Sequence, residues 1–299
     1  MRTAVNQFMA HAVSLGTFAA TARELGVQGV GVFRPCLTEL GGPAVARVLG
    51  RAGLRPTSVC VVLGLTGATG EERRARIDDA RRAVRQAAEL GAPLVIVAGG
   101  PGDRPARRVL AEFEEQLAVL AADADAAGVR LLLEPLHPAL AHLSVLTSLR
   151  DACRTAARYR DVGVVLDTWH VWSEPDLIET ARANADLIDV VHLSDWRPGP
   201  FCERRALPGE GVMGLAALGA DLRDALEPLG ELGASGALGV APRDVWWELE
   251  VIDEDATGPV AQRQLLRDAT RAARDCGLLG QEEACASPSS AARPAARAL

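Results

Sequence analysis

The stretch Val162-Gly-Val-Val-Leu-Asp-Thr-Trp-His-Val-Trp172 runs from a short apolar strand directly into Asp167, Trp169, His170 and Trp172. An apolar run of this length, bounded by Gly163 and by Ser173-Glu174-Pro175, reads as a strand buried on both faces. A carboxylate at its C-terminal end then needs a reason. Three other segments repeat the pattern: Arg130-Leu-Leu-Leu-Glu-Pro-Leu-His137, Asp189-Val-Val-His-Leu-Ser-Asp195 and Val245-Trp-Trp-Glu-Leu-Glu-Val-Ile252. Strands that each deliver an acid or a histidine at the C-terminal mouth are how a barrel of strands and helices builds a site on one face. Glu134, Asp167, His192 and one of Glu248 or Glu250 have the composition of a metal site.

The cycles around these segments extend through the chain. Strands are expected at Thr3–Gln7, Gly29–Phe33, Thr57–Leu63 and Leu94–Ala98, ahead of those carrying Glu134, Asp167, His192 and the Glu248/Glu250 pair. Helices are expected between them at 17–25, 44–51, 72–90, 112–127, 146–159, 176–185 and 214–229, with a closing helix at 259–276. Gly26, Gly53, Gly91 and Gly128 stand where helices should stop. Eight such cycles predict an α/β fold, a (β/α)8 TIM barrel occupying 1–280 as a single domain. Residues 281–299 show no periodic apolar face and read as a disordered tail. A doubly wound open sheet is disfavoured, because no glycine-rich fingerprint follows the first strand.

Composition removes whole classes of function. A net charge of −7 argues against nucleic acid as a partner, since that binding depends on cations neutralising phosphates. All 32 basic residues are arginine, so neither a Schiff-base lysine nor a phosphate-loop lysine is available. The six cysteines lack paired spacing and read as reduced thiols rather than a zinc cluster or a disulfide framework. No long apolar run or leader is apparent, so the reading is cytoplasmic, with no membrane partner.

The motifs LEPLHP at 133–138, VVLDTWHVW at 164–172, VVHLSDW at 190–196 and the R-x-x-P-G-E-G run from Arg205 to Gly211 resemble the xylose isomerase-like TIM barrels, the sugar phosphate isomerase/epimerase superfamily. The resemblance implies one divalent metal, with Mn2+ favoured over Mg2+, Co2+ or Zn2+, held by Glu134, Asp167, His192 and a last-strand glutamate. Glu250 is preferred for the last position because it lies nearer the mouth and precedes two apolar residues. Glu248, about 6.6 Å deeper on the same face, is the alternative and is expected to pair with an arginine.

The resemblance further implies an isomerase or epimerase of a keto sugar or related polyol, working by proton transfer through a metal-stabilised enediolate. Glu134 and Glu250 would move the proton, His170 would hold a substrate oxygen and Arg205 would face the enediolate, with Arg204 as the fallback. A dehydratase acting on an inosose or dehydroshikimate is the alternative, and a non-enzymatic sugar-binding barrel is a third reading. Arg34, Gly64 and Gly99 at the early strand ends argue against a three-metal endonuclease site. The partner is a small sugar or polyol, with a homodimer or homotetramer usual for such barrels. Residues 196–213 read as a lid, and Ala98-Gly-Gly-Pro-Gly102 as a loop that could admit a phosphate.

Overall fold

The computed structural model describes residues 2–67, 69–198, 205–227 and 245–280. Eight parallel strands close into one barrel in sequence order: β1 (Arg2–Asn6), β2 (Gly29–Phe33), β3 (Arg55–Leu63), β4 (Leu94–Val97), β5 (Leu131–Leu133), β6 (Val162–Asp167), β7 (Ile188–Leu193) and β8 (Trp246–Leu249). Closure is made by β1 pairing with β8, in the register Ala4 to Glu248. Around the barrel lie α1 (Leu15–Glu24), α2 (Arg34–Leu40), α3 (Gly42–Arg51), α4 (Gly70–Leu90), α5 (Ala106–Ala126), α6 (Leu149–Ala156), α7 (Thr168–Val171), α8 (Leu177–Ala183), α9 (Leu215–Leu226) and α10 (Gly258–Asp275). The expected strands and outer helices are therefore present, with shifts of a few residues at their ends. The linker 230–242 and the proposed tail 281–299 lie outside the described residues.

Side-chain alternation along the strands explains two separate apolar clusters. Leu131, Leu133, Val164, Leu166, Val191, Leu193, Trp247 and Leu249 face outward and join the helices in the main core. Cys60, Val95, Leu132, Val165 and Val190 point inward and fill the barrel. With a period of two, the next inward positions toward the mouth on β5, β6, β7 and β8 are Glu134, Asp167, His192 and Glu248. The ladder continues past the strand ends, with Glu134 N bonding to Ile96 O and Glu250 N to Leu193 O, each at 3.0 Å. The alternation therefore still governs where these carboxylates point. At the opposite end of the barrel, Arg130 Nε donates to Asp189 Oδ2 at 2.7 Å, a pairing that ties β5 to β7.

Helix boundaries follow local chemistry. Ser14, Thr69 and Ser148 accept backbone N–H groups at the starts of α1, α4 and α6. Gly91 ends α4 at φ 73°, a left-handed conformation that favours glycine.

Candidate metal centre and catalytic site

Glu134, Asp167, His192 and Glu250 come together at the C-terminal mouth, each offering a ligand atom within 4.8 Å of the others. All four are buried, and Asp167 and His192 have no solvent exposure at all. Oxygen and nitrogen ligands at about 2.0–2.2 Å from one cation stand roughly 3 to 4.4 Å apart, so the cluster is close to the spacing a single ion requires. Three carboxylates and one imidazole form an oxygen-rich donor set suited to a hard or borderline divalent cation. The residues present therefore fit the metal that the sequence pattern implies.

Each group is held by its own strand end. Asp167 caps the short helix α7, its Oδ1 accepting from Trp169 N at 2.8 Å, which leaves Oδ2 directed into the site. Thr168 Oγ1 donates to Ser194 O at 2.9 Å and so ties the end of β6 to that of β7. His192 Nδ1 lies 3.1 Å from Glu134 Oε1 and 3.5 Å from Glu250 Oε2. Arg205 closes the cluster: its Nη1 is 2.7 Å from Asp167 Oδ2 and 2.9 Å from Glu250 Oε2, and its guanidinium lies over the Trp169 ring at 5.4 Å.

Arg205 reaches this position because its loop is organised by Asp195. The Asp195 carboxylate accepts from the backbone N–H groups of Trp196, Gly209 and Met213 at 2.8, 3.0 and 3.2 Å. A Cβ at Gly211 would lie 2.1 Å from Asp195 Oδ1, so this turn requires glycine for the close approach. Arg205 N also bonds to Ile252 O at 2.9 Å, anchoring the loop beside the end of β8. Arg204 and part of the lid expected at 196–213 lie outside the described residues.

The electrostatics separate the carboxylates. Burial by itself raises the Asp167 pKa, but Arg205, His170 and His192 outweigh it and hold Asp167 below the usual carboxylate range. Glu250 is pushed up to about 7, chiefly by burial and then by Glu134 and Asp167, against the opposing pull of His192 and Arg205. Burial lowers the His192 pKa, yet the surrounding acids, Glu250 first, raise it well above 6.5 in the metal-free cluster.

His170 is buried and accepts from His137 N through Nδ1 at 3.1 Å, so that nitrogen carries no proton and Nε2, 3.7 Å from Asp167 Oδ2, carries it. Burial depresses the His170 pKa to about 4, which keeps it neutral at physiological pH. His137 is further out, its Nδ1 accepting from Ala139 N at 3.2 Å.

Sequence reasoning placed Glu248 deeper than Glu250, as found, but the expectation of an arginine partner is corrected. Glu248 is completely buried and accepts from Asn6 Nδ2 at 2.7 Å, Thr57 Oγ1 at 2.5 Å and Ser58 Oγ at 3.2 Å, with His192 Nε2 at 3.4 Å. Neutral donors from β1 and β3 replace a cation because the barrel interior at this level is filled from the strands themselves. Asn6, Thr57 and Ser58 carried no motif that marked them, and Asp195, though inside the VVHLSDW motif, carried no signal for its loop-organising role. The glycine loop at 99–102 lines a separate cavity of about 600 Å3 beside the mouth, together with Leu63, Leu136, Leu143, Arg76 and Arg104. Its arginines are already paired, Arg76 with Glu72 and Arg104 with Glu112. The loop's one sequence signal for phosphate thus gains no unpaired cation from these two side chains.

The profile of the xylose isomerase-like TIM barrels matches residues 19–228. The chain belongs to this family. No curated protein sequence matches it significantly. Among solved structures, protein SMc04130 from Sinorhizobium meliloti 1021 is 26% identical with a TM-score of 0.76, covering 92% of this chain and 98% of its own. The IOLI protein with a bound zinc atom is 16% identical with a TM-score of 0.71, over 93% of this chain and 97% of its own. The 3-keto-D-glucoside 4-epimerase of E. coli is 20% identical with a TM-score of 0.68, over 91% and 99%. The barrel is thus shared over nearly its full length. Among the described residues, no helix is long and apolar enough to cross a membrane.

Proposed function

We propose that this xylose isomerase-like barrel is a divalent-metal-dependent isomerase or epimerase of a keto sugar or related polyol. The observation that carries the reading is the convergence of Glu134, Asp167, His192 and Glu250 from four strand ends into one buried cluster within 4.8 Å. These four residues would hold one ion, Mn2+ by preference. When bound, the ion supplies a Lewis acid for the substrate's carbonyl and neighbouring hydroxyl oxygens and stabilises the charge of an enediolate. Names of similar proteins support the class: one is an epimerase of a keto-glucoside and another carries zinc.

The protein groups supply the proton chemistry and the orientation. Glu134 and Glu250 leave strands that stand three apart around the barrel, so they approach a substrate from different directions. One removes the proton next to the carbonyl and the other returns it. Return to the opposite face of the same carbon gives epimerisation; return to the adjacent carbon gives isomerisation. The Arg205 guanidinium, fixed by its loop, faces the oxygen that gains charge. His170, neutral with its proton on Nε2, donates a hydrogen bond to a substrate oxygen.

The test combines metal content with solvent exchange. Wild type is expected to hold about one equivalent of Mn2+ by elemental analysis and to exchange a carbon-bound hydrogen of a keto sugar for deuterium in D2O. Glu134→Gln should lose the exchange while melting like wild type, and Glu250→Gln should lose the metal. Retained exchange in Glu134→Gln removes that residue from the reaction. An ultraviolet enone signal in place of exchange assigns the site to dehydration, and a wild type with neither metal nor exchange overturns the reading.

A further inference from the structure

The His192 ring has carboxylates on both of its edges. Nδ1 faces Glu134 and Glu250 in the cluster, whereas Nε2 faces Glu248 Oε1 at 3.4 Å, deeper in the barrel. Nε2 is buried and makes no contact of hydrogen-bond geometry among the described residues, so Glu248 is a near neighbour awaiting a small adjustment, with Cys60 beside the same ring. Glu248 sits opposite His192 in the register of β7 and β8, while Glu250 is one inward position nearer the mouth. The two acids therefore attend to different nitrogens of one ring.

Glu248 is itself fixed from several sides. Asn6 of β1 donates to Oε1, Thr57 of β3 donates to Oε2, and Ser58 donates to Oε1. Asn6 Nδ2 also contacts Cys60 Sγ at 3.3 Å. On β2, Gly31 leaves the space open, since a Cβ there would lie 1.9 Å from Glu248 Oε1. Three strands thus furnish donors or room for a carboxylate on a fourth. A buried acid this fully constrained cannot swing up to the cluster without abandoning those partners.

We infer that Glu248 is a positioning residue that accepts the Nε2–H of His192, so that Nδ1 presents its lone pair to the cation held by Glu134, Asp167 and Glu250. A neutral imidazole has one N–H, and a nitrogen that ligates a metal cannot carry it. The partner of the other nitrogen decides which one is free, and a carboxylate in that place fixes the ring orientation and raises the basicity of the ligating nitrogen. This role rests on the proposed metal centre, but the hydrogen bond it requires can be observed separately.

Two readouts test it on the full chain: the Mn2+ dissociation constant by competition with a chelating dye, and the His192 Nε2–H resonance in 15N-histidine-labelled, Zn2+-loaded protein. Wild type should show a downfield, slowly exchanging Nε2–H. Glu248→Gln keeps the shape of the side chain, with Thr57 Oγ1 able to accept from the new amide; it should weaken Mn2+ binding by about 10–100-fold and move the Nε2–H resonance upfield. Equal affinity and an unmoved resonance in Glu248→Gln would make Glu248 a core acid only and overturn the inference, leaving the metal reading intact. If Glu248→Gln does not fold, the wild-type spectrum decides, since a His192 Nε2 without a proton overturns the inference by itself. A wild type that takes up neither Mn2+ nor Zn2+ defeats the metal centre and, with it, the positioning role.

Discussion

Arg205 should stabilise the metal-free barrel and become less necessary once a cation is bound. Its guanidinium is buried and stands 2.7 Å from Asp167 Oδ2 and 2.9 Å from Glu250 Oε2, two acids with essentially no contact with water. Substituting Arg205→Leu retains apolar bulk against Trp169 but strands both carboxylates without their counter-charge. Removing one partner of a buried ion pair costs about 3–5 kcal/mol. For a chain of 299 residues the unfolding entropy is about 0.6 kcal/mol/K, so the melting temperature should fall by about 5–8 °C. The assay is a thermal melt by circular dichroism, first with the metal chelated and then at saturating Mn2+. A bound cation neutralises the same oxygens, so the gap between variant and wild type should narrow in the second melt. A chelated variant that melts within about 1 °C of wild type refutes the counter-ion argument, and a gap unchanged by Mn2+ refutes the sharing of those carboxylates.

Further outcomes follow from the same geometry. His170 has a folded pKa of about 4 against 6.5 in the open chain, so the unfolded state binds more protons between those values. Its contribution, on the order of 3 kcal/mol, is present above about pH 6.5 and lost as pH falls toward 4. His170→Gln should flatten that part of the stability profile of chelated protein, and urea melts across the window check it; because His192 shifts in the opposite direction, the difference between variant and wild type is the quantity to read. Gly31→Ala should depress the melting temperature by several degrees or prevent folding, since the added methyl meets Glu248 and Ser58. Gly16→Ala, with nothing within 4 Å of the new atom, should melt at or slightly above wild type and serves as the control.

Much of the barrel can be read from residue order. Val162 to Leu166 is apolar at every position except glycine, as a strand covered on both faces must be, and Asp167 follows where the mouth begins. The inward alternation that puts Leu132 in the barrel puts Glu134 at its rim, and the same count leads from Val165 to Asp167 and from Val190 to His192. Glu250 lies in the four-residue cluster and Glu248 lies deeper, because two inward positions on one strand differ in depth by a pleat. Helix ends shifted where caps compete: α6 starts at Leu149 because Ser148 accepts from Asp151 N, not at Leu146 as apolar spacing suggested.

What could not be read were contacts between residues far apart in sequence whose types have many uses. Glu248 with an arginine was a sound guess for a buried acid; the actual partners lie 242, 191 and 190 positions away and are an amide and two hydroxyls. Asp195 sits in a recognisable motif, yet its task of folding the Arg205 loop depends on backbone N–H groups that any residue could provide. The sequence by itself determined the eight cycles, the face on which acids and histidine gather and three of the four clustered groups, with the fourth narrowed to Glu248 or Glu250, because hydrophobic period and strand-end position are local properties. Only closure of the barrel, bringing β1 against β8, decided which nitrogen of His192 meets which acid and where Arg205 comes to rest, because those depend on distances between strands that no local pattern encodes.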